Sequence, residues 1–176
     1  IEDMIGDRLP KFLEGQYICQ VSDWIRKKVV HMNGGMWLDC DFICFQNLDG
    51  VVDMSKSFDY ASWDEWCNRW MDNFFVAKKG SLMLEAAMEY IEKAYTEKGT
   101  KVEWCEGSTN ALNYAYSLHK WQKVLKFPDH VISFTSAMED EFFFNPYYGV
   151  GEYTSFGAMT SCHHMAESLK QWDEKT

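Results

Sequence analysis

Asp39 and Asp41 stand one residue apart in the stretch Ser22 to Phe45, SDWIRKKVVHMNGGMWLDCDFICF. At the strand period of two, Met36, Leu38, Cys40, Phe42 and Cys44 point one way. Trp37, Asp39, Asp41, Ile43 and Phe45 point the other, so the two carboxylates share a face. Side by side among apolar neighbours, they repel each other and are costly to desolvate. A cation offsets both costs. A hard divalent ion with oxygen ligands, Mn²⁺ or Mg²⁺, is the natural candidate, and such ions are commonly shared with substrate phosphates. Taken alone, a D-x-D tripeptide is more often two solvated aspartates at a strand end.

The elements that must position this pair are a helix, a turn and a strand. Ser22 or Asp23 suits an N-cap, because a short side-chain oxygen accepts from the free N–H groups of a first turn. Ile25, Val29 and Met32 recur at helical spacing, and Arg26, Lys27 and Lys28 fall off that stripe. Gly34 and Gly35 stop the helix, since glycine takes the left-handed conformation without steric cost. A strand then runs from Met36 to Phe45.

In order and spacing, S-D-x-x-R, a short apolar helix, G-G, an aromatic and L-D-x-D resemble the core of the DxD sugar-nucleotide glycosyltransferases of the GT-A fold. The narrower resemblance is to the group of toxin glucosyltransferases, initiating mannosyltransferases and bacterial capsule transferases. Ser22, Asp23, Arg26, Gly34, Gly35, Asp39 and Asp41 carry it. The resemblance implies an α/β fold: a central mixed sheet flanked by helices, with the metal at the C-terminal end of a strand, where open α/β sheets bind ligands. It further implies transfer of a sugar from a nucleoside diphosphate sugar, UDP rather than GDP, to a glycan or glycoprotein acceptor, with retention of configuration. Asp41 and Asp39 would hold the metal, and Asp23 and Arg26 would contact donor-sugar hydroxyls or the diphosphate.

Further along the chain the resemblance supplies more candidates. Trp63, Trp66 and Trp70 recur at a helix-like spacing, with Asp64 and Glu65 between them. They read as a buried helical stripe or as an acceptor or sugar platform with Asp64 or Glu65 near the reaction centre. Asn73, in N-F-F-V-A, matches a polar contact to the donor sugar or to the active-site floor. Gly107 and Ser108 occupy the position of a loop at a helix N-terminus near the donor, where free N–H groups favour an anion. His163, five residues before Ser168, matches a third metal ligand or diphosphate contact, with His164 as the alternative. An imidazole ligand favours manganese over magnesium; the bland reading of a lone histidine is a capping or surface role. His31 and His119 read as helix-surface residues.

Ser81 to Glu97 is an amphipathic helix closed by Gly99, NALNYAYSLHKW a second helix, and Val124 to Phe127 and Val131 to Phe134 short strands. At 176 residues the chain reads as one domain, 1–176, from a longer polypeptide, because the family's nucleotide-binding strand is missing ahead of Ser22. Eight Trp, nine Tyr and twelve Phe suit sugar stacking as well as a filled core. A net charge of −10 argues against nucleic acid or an anionic membrane as the main partner, and it makes a metal necessary for an anionic donor. Six cysteines with no C-x-x-C pair read as free, mostly buried thiols in a reducing compartment. Without a signal peptide or an apolar run of membrane length, the expectation is a cytoplasmic enzyme with no membrane span. Bacterial capsule synthesis, or capsid-glycan synthesis by a large DNA virus such as a chlorovirus in its host cell, suits that size. Two other classes remain: a metal-dependent nucleotidyl- or phosphoryl-transfer enzyme, which also uses paired aspartates, and a non-catalytic carbohydrate-binding module.

Overall fold

The computed structural model describes residues 5–6, 8–40, 42–44, 47–65, 69–120, 122–127 and 157–159. For 42–44, 63–65, 69 and 157–159 it gives backbone only. The chain divides into two compact units, Ile1–Leu38 with Asp49–Lys126, and Asp39–Leu48 with Phe127–Thr176.

In the first unit, helix α1 (Ile18–Asn33) leads into strand β1 (Gly35–Leu38), followed by the short helix α2 (Asp49–Asp53). Strands β3 (Tyr60–Glu65) and β4 (Arg69–Ala77) precede helices α3 (Leu82–Lys98) and α4 (Ala111–His119) and strand β5 (Val124–Phe127). A π-helical turn, Glu106–Asn110, enters α4. The strands make an open mixed sheet in the order β1-β4-β3-β5. The architecture is therefore α/β, as expected. In the second unit, β2 (Phe42–Cys44) pairs antiparallel with β6 (Gly157–Met159).

Helix α1 begins a turn earlier than Ser22 suggests. Tyr17 is its N-cap. The Tyr17 amide donates to the Gln20 side chain at 3.2 Å, which ties down the first turn without Ser22 or Asp23. Both of these residues lie within the helix. Its end is where the glycines put it: Gly34 has φ +71° and donates to the Val30 carbonyl at 2.7 Å. A Cβ on Gly34 would also lie 2.8 Å from the Lys79 amide nitrogen, so the helix end and the β4–α3 loop meet too closely for any side chain.

Two further expectations are corrected. The strand from Met36 to Phe45 is not continuous. β1 pairs with β4 only from Gly35↔Ala77 to Leu38↔Phe74, and the chain leaves the ladder at Asp39. Aspartate is among the residues least suited to a half-buried pleated surface, so the break falls at the first carboxylate. The helical stripe of Trp63, Trp66 and Trp70 is replaced by a hairpin: Trp63 lies on β3 and Trp70 on β4, with Asp64 opposite Trp70 and Glu65 opposite Arg69. Trp66 itself lies outside the described residues. The spacing of three and four is thus incidental to residues placed by strand pairing.

The core lies between the helices and the sheet. Trp24, Ile25 and Val30 of α1, Phe75 and Ala77 of β4, and Leu84, Ile91 and Tyr95 of α3 belong to it. α3 is fixed at its start by Asp59, which accepts from the amides of Leu82 and Met83 and from the Ser81 hydroxyl at 3.0–3.1 Å. Ser81 Oγ in turn accepts from the Leu84 amide at 3.2 Å. These bonds satisfy amide groups that a helix start leaves without partners. At the far end Gly99 closes α3 with φ +57°.

Candidate functional site

Asp23 and Arg26 face inward from α1. Arg26, expected off the apolar stripe, is 8% exposed, and its neighbour Lys27 is fully buried. They turn inward because a carboxylate waits there. Asp72, on β4 and 5% exposed, pairs with both cations. Its Oδ2 lies 2.5 Å from Lys27 Nζ, and its Oδ1 lies 3.4 Å from Arg26 Nη1. The Asp72 carbonyl also accepts from Arg26 Nη1 at 3.2 Å.

The other edges of the guanidinium are engaged from α1 itself. Nη2 lies 3.3 Å from Asp23 Oδ1 and donates to Ser22 Oγ at 3.3 Å. Nε donates to the Ser22 carbonyl at 3.4 Å. Its face packs over the Trp37 ring of β1, 5.7 Å from the ring centroid. Lys27 also donates to the Asp23 carbonyl at 3.1 Å. Asp23, Arg26, Lys27 and Asp72 therefore form a buried cluster of two positive and two negative charges. Burial pushes the Asp72 carboxyl up, but the charges of Lys27 and Arg26 outweigh it and hold it below the usual aspartate range.

Asp72 reaches this position through an irregular strand. Ser62 of β3 opposes Phe75 and Asp64 opposes Trp70, so residues 71–74 of β4 stand opposite Trp63 alone. Such bulges re-aim side chains and free carbonyls from the ladder. The freed carbonyls find side-chain donors instead. Tyr60 Oη donates to Met71 O at 3.0 Å, and Ser62 Oγ bonds to Met71 O and, at 2.9 Å, to Phe74 O. Asn73, singled out from the sequence, lies half-buried in the same bulge.

Gly107 belongs to the same cluster through packing. A Cβ on it would lie 3.1 Å from both the Cβ and Oδ2 of Asp23 and would overlap the Tyr95 hydroxyl. Gly107 thus seats α3 and α1 side chains against the turn that opens α4. The Tyr95 hydroxyl is buried and has no hydrogen-bond partner among the described residues. Burial first, and the Asp23 charge next, push the Tyr95 phenol up. Ser108 is half-buried, and its hydroxyl donates to the Cys105 carbonyl at 3.4 Å.

The preceding residue, Glu106, is buried and belongs to a separate group. It accepts from the Tyr90 hydroxyl at 2.5 Å and from Lys98 Nζ at 2.7 Å. Burial raises its carboxyl, while the bonds from Lys98 and Tyr90 outweigh that and lower it.

The structure thus brings together Asp23, Arg26 and Gly107, from motifs about eighty residues apart. Asp39 follows β1 directly and is half-buried. Asp64 and Glu65 lie on β3, with their side chains undescribed. Asp41, His163 and His164 lie outside the described residues, as does Val131 to Phe134. Among the described residues, no group of three His, Cys, Asp or Glu side chains is arranged to hold a metal ion. Sequence reasoning missed Lys27, Asp72 and Tyr95. Asp72 had one signal, a charge inside the strand-like run W-M-D-N-F-F-V-A; Lys27 and Tyr95 had none that separates them from a surface lysine and a core tyrosine.

Among the described residues Cys19, Cys40 and Cys105 are free thiols; Cys40 is exposed and the other two half-buried, so none is as buried as expected. No helix among the described residues is long and apolar enough to cross a membrane. Compared with protein-family profiles, curated proteins and solved structures, the chain has no significant match.

Proposed function

We propose that this chain is a metal-dependent glycosyltransferase that moves a sugar from a nucleoside diphosphate sugar, UDP-linked rather than GDP-linked, to a glycan acceptor with retention of configuration. One observation carries the reading. Asp23 and Arg26 of the S-D-x-x-R helix converge with Gly107, which the same resemblance places near the donor, and Arg26 packs on Trp37 of the strand leading to Asp39. A chance match of short motifs has no reason to meet in space.

Asp39, Asp41 and His163 are the residues that would hold the metal. Two carboxylates and an imidazole form a donor set suited to Mn²⁺; of the three, Asp39 is the one described, half-buried just past the end of β1. When bound, the ion supplies Lewis-acid stabilisation of the departing diphosphate. The chain's own groups do the rest. Asp23 accepts hydrogen bonds from donor-sugar hydroxyls. Arg26 fixes the Asp23 carboxylate and places a positive charge beside the anionic donor. The amides and hydroxyl at Gly107 and Ser108 line the donor at the start of α4. Asn73 contacts the sugar from the β4 bulge, and Asp64 and Glu65 stand near the reaction centre. In a retaining transfer the leaving phosphate oxygen takes the acceptor proton, so no side-chain nucleophile is needed. The acceptor is a glycan or glycoprotein, of capsule or capsid type, and the enzyme acts in the cytoplasm.

Calorimetric titration with UDP- and GDP-sugars, with and without Mn²⁺, tests this on wild type and Asp41→Ala. Metal-dependent binding of one sugar nucleotide, lost in the variant, is the expected result. Binding of a nucleoside triphosphate but no sugar nucleotide would identify a nucleotidyltransferase instead. Sugar binding indifferent to metal and to Asp41→Ala would identify a carbohydrate-binding module.

A further inference from the structure

Two of the four buried charges, Asp23 and Arg26, belong to the donor site proposed above. Lys27 and Asp72 do not, and stability alone does not require an ion pair there. A buried ion pair is often no more stabilising than apolar side chains of the same volume. The geometry gives the pair another use. Asp72 divides its carboxylate: Oδ2 is held by Lys27 Nζ at 2.5 Å and Oδ1 faces Arg26 Nη1 at 3.4 Å. Its carbonyl, released from the ladder by the bulge, takes the same Nη1 at 3.2 Å. Lys27 is fully buried and also tied to the Asp23 carbonyl at 3.1 Å, so the ammonium that holds Asp72 has a fixed position of its own.

The guanidinium is thereby gripped from three elements. α1 supplies Ser22 and Asp23 on the Nε and Nη2 side. β4 supplies Asp72 on the Nη1 side, and β1 supplies the Trp37 ring beneath. An arginine held only by residues three and four positions back on its own helix can swing about its side-chain torsions. Contacts from the sheet, Asp72 on β4 and Trp37 on β1, set the plane.

We infer that Asp72, anchored by Lys27, is a positioning residue for Arg26, helping to fix the orientation in which Arg26 presents Asp23 and its own charge to the donor. The inference rests on the donor-site reading for its functional consequence, but not for its geometric one. Asp72→Asn is nearly isosteric, yet its amide has one acceptor oxygen for two cations and turns an N–H₂ toward the other. The double variant Asp72→Leu with Lys27→Met removes both charges together, leaving no buried ion unpaired between them.

Two readouts apply to each variant. The first is hydrogen exchange of the Arg26 Nε–H, assigned by its disappearance in Arg26→Lys and followed by ¹⁵N NMR. It should be slow in the wild type and at least ten-fold faster in Asp72→Asn, with the α1 backbone amides unchanged. The second is titration with UDP-glucose and Mn²⁺, or whichever sugar nucleotide the wild type binds. Kd should weaken at least ten-fold in both variants, including the double variant, which keeps its melting temperature. Unchanged Arg26 exchange in Asp72→Asn overturns the positioning role whatever the titration gives. Faster exchange with unaltered binding overturns its importance to the donor site. If the wild type binds no sugar nucleotide, the donor-site reading fails, and the exchange measurement still decides whether Asp72 positions Arg26.

Discussion

The α-carbon of Gly107 packs directly against the side chain of Asp23: a Cβ there would sit 3.1 Å from Asp23 Oδ2 and would overlap the Tyr95 hydroxyl. Alanine is the better helix former, so a substitution in a helical turn would ordinarily stabilise. Here the steric term wins. Gly107→Ala is expected to cost about 1–3 kcal/mol, the usual range for overpacking a filled site, and to displace Asp23. Tyr95→Phe removes the overlapping oxygen, which has no hydrogen-bond partner among the described residues. Alone it should be neutral or stabilising, because a buried unsatisfied hydroxyl is itself unfavourable. Combined with Gly107→Ala it should restore much of the loss. Denaturant unfolding of the three variants checks this; a double variant no better than Gly107→Ala alone rules out Tyr95 as the source of the clash.

Acid should unfold the protein through two particular carboxyls. Asp72 and Glu106 both have folded-state values held below the ordinary ones, the first by Lys27 and Arg26 and the second by Lys98 and Tyr90, against the opposing effect of burial. A depressed value means that the unfolded chain binds protons first as pH falls. The stability these groups contribute is therefore complete above the unfolded carboxylate range, about pH 4, and is lost as pH falls through their folded values. Melting temperature should hold between about pH 7 and 5 and drop below that. Asp72→Asn and Glu106→Gln should each lower the plateau and flatten the acid limb. A limb of unchanged steepness in both would place the acid sensitivity elsewhere.

The sequence made the helices legible and the charges misleading. α3 is found where its apolar spacing, Ser81 and Gly99 put it, because capping and periodicity are local properties of the chain. The Gly-Gly stop after α1 was readable for the same reason. The hairpin through Trp63 and Trp70 was not, since strand pairing depends on a partner that periodicity alone does not reveal. Nor was the interior position of Lys27, which becomes favourable only once Asp72, 45 residues later, is folded against it. Of the site, Asp23, Arg26 and Gly107 came from motif spacing and meet in the structure. The partners that hold them, Asp72 and Tyr95, carry no motif and are set by tertiary packing.

Asp59 is a long-range helix cap. It lies ahead of β3, yet its carboxylate accepts from the first two amides of α3 and from Ser81 Oγ, and Lys78 Nζ stands 3.2 Å away. Asp59→Ala strands those buried donors. The expected cost is about 2–4 kcal/mol, above that of an ordinary cap because several bonds to a buried charge are lost together. Ser81→Ala, which removes one local cap, should cost about 1 kcal/mol. Equal costs in urea unfolding would show that Asp59 adds nothing to the cap that Ser81 does not already provide.

Arg26→Lys separates charge from shape. The substitution keeps one positive charge but loses the planar fork that reaches Ser22 Oγ, the Ser22 carbonyl, Asp23 and Asp72 while lying flat on Trp37. An ammonium is a compact point charge and cannot reproduce a fork with a stacked face. A lysine there also competes with Lys27 for the same Asp72 carboxylate. If Arg26 serves only to balance charge, Arg26→Lys should resemble the wild type in both stability and ligand binding. If its geometry is what matters, the variant should lose about 1–3 kcal/mol of stability, the worth of a few hydrogen bonds to charged groups. It should then bind a sugar nucleotide no better than Arg26→Ala does. Urea unfolding and calorimetric titration of the two variants side by side decide between charge and shape.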